Sequence, residues 1–135
     1  MTAEKIVIVV SNRLDVGQGA NVVGLLGISL GHHVEGIVGP EVEDAGGRVH
    51  AGMSSVGLPV LSADEETVER LHEAARLVSG VRVFDITDAA TGARDYPAYT
   101  AQLRTAGTRW RTIGLALVGS RRSVDALTGR LGLLR

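Results

Sequence analysis

Three groups of residues carry most of the functional chemistry available to this sequence. The first is the stretch Gly17-Gln18-Gly19-Ala20-Asn21, placed between the polar segment Ser11–Asp15 and an apolar run. Gly17 and Gly19 let backbone approach a ligand closely, and a helix beginning there offers free N–H groups with partial positive charge. Gln18 and Asn21 add neutral amide donors suited to a carboxylate, amide or phosphate oxygen. The same pattern also serves as an ordinary strand-to-helix turn. The second group is Gly119-Ser120-Arg121-Arg122. Two cations at a helix start oppose its dipole, a conflict that a bound anion would remove through guanidinium contacts; two solvated arginines are the plainer alternative. The third is Asp85-Ile86-Thr87-Asp88 with Thr91, to which Asp64 could be added from the next helix start. Alternation puts Asp85 and Thr87 on one strand face. A carboxylate there could orient water, with Asp64, Asp88 or Thr91 as the placing groups, although such residues equally serve as loop caps.

Other chemistries are poorly supplied. There is no cysteine, which removes disulfides, thiolate catalysis and Cys-ligated zinc. The histidines lack ligand spacing: His32 and His33 are sequence neighbours, His50 stands alone, and His72 is expected on the exposed side of a charged helix. No metal or other cofactor is therefore expected. Ser54-Ser55 lacks the glycines of a nucleophile elbow. Aromatic residues are only 3% of the chain, too few for a base-stacking platform. Five apolar residues, Ile6–Val10, follow the N-terminal Met1–Lys5, too few for a signal-peptide core or a membrane span, so a cytoplasmic protein is expected.

These residues need a scaffold. At 135 residues with 44% apolar and 21% charged side chains, the chain suits one globular domain, residues 1–135, with an aliphatic core. Ile6–Val10 and Thr112–Val118 have the continuous apolar character of buried strands, Val81–Ile86 alternates into another, and Pro59-Val60-Leu61 supplies a short fourth. Ala20–Leu30 is a helix apolar nearly all round. Its Gly24 and Gly27 each cost about 1 kcal/mol relative to alanine, so close packing against the sheet or a second copy of the chain is expected there. Ser62-Ala63-Asp64-Glu65 has the form of a capping box for a helix whose stripe is Val68, Leu71, Ala75 and Val78, closed by Gly80. Pro97 opens a helix to about Ala106, and a last helix runs from Arg121 to Leu127. Between Gly31 and Leu58 only short strand-like pieces, Val34–Val38 and Arg48–His50, emerge, with a turn at Asp44–Gly47. The expected architecture is α/β: three layers, with a mixed, mainly parallel four-stranded sheet and helices on both faces.

Three stretches in order resemble the type II (archaeal/eukaryotic) peptidyl-tRNA hydrolases. They are the buried strand with the Val16–Ala20 loop and apolar helix; the acidic helix start Ala63–Thr67 and the Asp88-Ala89 loop; and the strand, turn and helix Ile113–Gly119 and Val124–Leu131. The resemblance covers most of the chain and implies that family's fold. It implies less about its reaction. The family's loop lysines fall at Gln18 and Ala20, its helix Gln and His at Gly24 and Gly27, and a further Lys near Leu61. Asp64 and Thr91 are what remains. The chain also resembles a family of small bacterial proteins of unknown function with the same fold, through Gln18, Asn21, Thr91-Gly92-Ala93 and the inserted helix Tyr96–Ala106.

Three functions follow as expectations: hydrolysis of a small or aminoacyl/peptidyl ester; a non-catalytic module binding a small-molecule or anionic ligand; and tRNA binding through the arginine-rich end. Residues 101–135 hold seven Arg against Asp125 alone, while residues 1–100 hold seven basic and fourteen acidic residues. A net charge of −1 and the lost lysine pair weigh against RNA. Self-association as a homodimer is expected from the apolar helix and the tail Leu131-Gly132-Leu133-Leu134.

Overall fold

The structure, a computed structural model, describes residues 4–105, 107 and 109–135. The expected helix end at Ala106 and the N-terminal Met1–Ala3 lie outside these residues. Along the chain run β1 (Lys5–Ser11), α1 (Val16–His33), β2 (Val42–Glu43), β3 (Val49–His50), β4 (Val60–Ala63), α2 (Glu65–Arg76), β5 (Arg82–Thr87), α3 (Tyr96–Leu103), β6 (Thr112–Gly119), α4 (Arg121–Thr128) and β7 (Gly132–Leu133).

The main sheet has five strands in the order β5-β6-β1-β4-β7. The β1–β4 pair is parallel, and β1–β6, β4–β7 and β5–β6 are antiparallel. The sheet is thus mixed as expected, but it is mainly antiparallel and has one strand more. The apolar runs of β1 and β6 are buried on both faces whichever way they point, so burial alone does not distinguish the two pairings. The fifth strand is only Gly132–Leu133, tied to β4 through Leu61 and Ser62.

Helices cover both faces of the sheet. Ile6, Ile8 and Val10 turn to α1, meeting Val22, Leu26 and Leu30. Val7, Val9, Leu115 and Leu117 turn to α2 and α4, meeting Val68, Leu71, Ala75 and Val124. Gly114 on β6 admits α1: a Cβ there would stand 2.3 Å from Val22 Cγ1. Gly24 and Gly27, by contrast, face open space, so within this chain they are not sites of close packing.

Strand direction decides where functional groups gather. The pairings make β1, β4 and β5 run one way and β6 and β7 the other. One sheet edge therefore collects the C-terminal ends of β1, β4 and β5 with the start of β6. The opposite edge holds the end of β6 and the start of α4. In the segment between α1 and β4, β2 and β3 form a small hairpin whose turn is held by Asp44, which accepts from the Gly46 and Arg48 amides. Val34–Val38 is not a strand; Val38 makes a single bridge to Ser54.

Candidate functional site

The first turn of α1 begins earlier than its glycines suggest. Asp15 is the N-cap, accepting from the Gln18 amide at 2.8 Å, while Gln18 Oε1 accepts from the Asp15 amide at 3.1 Å. That reciprocal box pulls Gly17, Gln18 and Gly19 into the helix, where a loop is expected from sequence. Gly19 is buried and its amide donates to the Asp15 carbonyl at 2.9 Å. Asn21 lies exposed one turn on. The Gln18 side-chain oxygen is thus occupied in capping.

Asp64 performs the same service for α2, its Oδ1 accepting from the Thr67 amide at 2.7 Å. The cap is Asp64 rather than Ser62, because Ser62 is still paired within β4. Hydrogen bonding to Thr67 holds the Asp64 carboxyl below the ordinary carboxylate range. Asp88 Oδ1 accepts from the Arg111 amide at 3.1 Å, and the Thr91 hydroxyl donates to the Asp88 carbonyl at 2.7 Å. These residues do share the sheet edge defined by strand direction. Glu65 joins them, receiving Arg13 and Arg111 on its two oxygens at 2.8 Å each. These contacts, Arg13 foremost, lower its pKa.

Ser120, Arg121 and Arg122 lie at the opposite edge, roughly 25 Å away along an eight-residue strand. Ser120 caps α4 by accepting from the Ser123 amide at 3.2 Å, and the Arg121 amide donates to Glu4 Oε2 at 3.0 Å. The anion at this helix start is the chain's own Glu4. Ser120 and Glu4 border a hollow of about 510 Å³ with Ser79–Arg82. The structure does not bring Gln18 and Asn21 together with the Arg121 region. The basic residues also divide: Arg111 and Arg121 stand at opposite ends of β6.

A further concave feature lies elsewhere. A groove of about 570 Å³ runs between α1, β5 and α3. Its walls include Leu25, Ile28, Ile86 and Ala90, and its polar groups include His33, Asp85, Asp95 and Tyr99. Asp95 accepts from the Ala98 amide as cap of α3. Burial, with Asp85 and Tyr96 nearby, raises the Tyr99 pKa above its ordinary value.

Asp85 is anchored from behind. His72 Nε2 and Arg76 Nη2 lie 3.2 and 3.6 Å from Asp85 Oδ2. Arg76 Nε donates to His72 Nε2 at 3.1 Å, and His72 Nδ1 lies 2.8 Å from Thr112 Oγ1. Glu69 accepts from the Thr112 amide at 2.6 Å. His72 is 6% exposed, not on the solvent side. It sits four residues after Val68 and three before Ala75, on the core stripe itself, and that spacing was the signal available in the sequence. Val78, expected on the stripe, falls beyond the helix end at Arg76. Among the described residues, no group of three or more His, Cys, Asp or Glu is arranged to hold a metal ion, and no helix is long and apolar enough to cross a membrane.

Comparison with known proteins gives family and fold. No curated protein matches the chain. The solved structure of a protein of unknown function, Atu0240 from Agrobacterium tumefaciens str. C58, is similar to it with a TM-score of 0.86 at 19% identity, covering 100% of this chain and 99% of that one. At that identity the likeness speaks for the fold alone. Residues 4–135 match the family described as Protein of unknown function (DUF2000), and the chain belongs to that family.

Proposed function

We propose that this protein is a non-catalytic small-molecule-binding domain, with its ligand in the groove between α1, β5 and α3. The observation that carries this reading is the groove itself, where apolar walls surround a few convergent polar side chains. The scaffold is proposed to be similar to that of the type II peptidyl-tRNA hydrolases, supported by the three sequence stretches in order and by helices on both sheet faces. Ester hydrolysis is not part of the proposal. Gln18, Asp64, Asp88 and Thr91 each hold a helix end or a turn, which speaks against their orienting water or stabilising an oxyanion. RNA binding is disfavoured by the division of the arginines between two sheet edges.

Calorimetric titration and thermal-shift measurements with a panel of small metabolites test the reading. Saturable stabilisation, lost when Ile28→Arg fills the groove, is the expected result. Turnover of acyl- or peptidyl-tRNA or of simple esters, abolished by Asp64→Ala, would replace it with the hydrolase reading. Self-association through the exposed apolar tail, Leu133 at 58% and Leu134 at 43% exposure, is proposed alongside it. Sedimentation at micromolar concentration is expected to show dimer, and monomer alone would remove that part.

A further inference from the structure

We propose that the groove selects a cation, an amine carried on an apolar body, with Asp85 as its counter-charge; this rests on the groove being the binding site. Among the described residues, the acidic groups lining the groove are Asp85 and Asp95, with His32 and His33 beside them, and no Lys or Arg lines it. An anionic ligand would meet two like charges there, whereas an ammonium group meets two opposite ones. Asp85 retains capacity for such a partner. Its contacts with His72 and Arg76 approach Oδ2, Oδ1 accepts no hydrogen bond from the described residues, and the side chain is 35% exposed. Arg76 offsets the charge only in part, since it lies 3.6 Å away with a side chain 57% exposed.

Aromatic faces add to this preference. Tyr96 and Tyr99 line the groove with ring centroids 5.7 Å apart. Their π-faces attract a cation, while Leu25 and Ile28 offer surface for an apolar body. Two residues beyond Asp85, the Thr87 hydroxyl is buried with no partner at hydrogen-bond geometry, although the Tyr99 hydroxyl lies beside it. Thr87 lies outside the groove's lining, so charge recognition of the ligand rests with Asp85 and Asp95.

Benzylamine, benzyl alcohol and benzoate share one apolar ring and differ in charge. Titrated calorimetrically into the full chain, benzylamine is expected to bind at least about tenfold more tightly than the other two. Added salt should weaken the benzylamine complex selectively. Asp85→Asn should remove the preference and leave benzyl alcohol unaffected, while Ile28→Arg should weaken all three. Should Asp85→Asn fail to fold, the salt dependence and shifts of the Tyr96 and Tyr99 ring resonances on the wild-type chain decide the question. Benzoate or benzyl alcohol binding as well as benzylamine, and weakened by Ile28→Arg, would overturn the charge preference and leave the groove standing. Failure of all three to bind would overturn both.

Discussion

His72 joins three elements through one imidazole, and its removal strands groups on each of them. Thr112 Oγ1 and Arg76 Nε lose a partner together, so His72→Ala is expected to cost about 2–4 kcal/mol, from the cavity and the unmet polar groups combined. Urea unfolding followed by circular dichroism checks this. Gly114→Ala acts in the opposite sense, forcing a methyl against Val22, and should cost about 1–3 kcal/mol in the same assay. Acid has its own signature. Asp44, Asp64 and Glu65 all have pKa values lowered in the folded chain, mainly by His50, Thr67 and Arg13 respectively. Lowered carboxylate values mean that stability is present above the unfolded-state pKa, about 4, and declines as pH falls through the folded-state values. Melting temperature should therefore be level above about pH 5 and drop below about pH 4, and Asp64→Asn, which keeps a capping oxygen, should flatten that drop. At this scale Asp64 and Asp88 could be placed at one sheet edge from sequence. Their occupation as caps could not, because a carboxylate that caps and one that catalyses look alike until its neighbours are known.

Helix α1 combines a buried stripe with an uncovered back. Gly24 and Gly27 lie on a helix interior with empty space where a side chain would go. Gly24→Ala and Gly27→Ala should each raise stability by up to about 1 kcal/mol if the chain acts alone, since alanine restricts the unfolded state and clashes with nothing. In a dimer packed through this face the same changes should shift sedimentation toward monomer, so a paired measurement of melting and mass separates the cases. Sequence placed the element well and its start poorly: a Gly-x-Gly suggests a loop, but the Asp15–Gln18 box outweighs the backbone freedom of the glycines. For α2 the phase is legible and residue type misleads. Counting Val68, Leu71 and Ala75 found the buried side, yet His72 was assigned to solvent by residue type although its position puts it inside.

For the molecule as a whole, alternating strands and helices made the layered α/β plan legible, whereas strand direction was not, because a run such as Ile6–Val10 buries equally well beside a parallel or an antiparallel neighbour. The tyrosines of the groove are silent in the sequence for a related reason: Tyr96 and Tyr99 acquire meaning only when α3 is set beside β5 and α1. That arrangement has a consequence for motion. Strand β5 is bonded on one side only, to β6, and α3 contains no fully buried residue. One bank of the groove thus hangs from a single ladder, while the other is pinned to the centre by Val22, Leu26 and Leu30. Deuterium should enter the amides of α3 first, those of β5 next and those of β1 last. A bound guest would slow the first two and leave the third untouched, so that the outer bank breathes and the inner one keeps the shape.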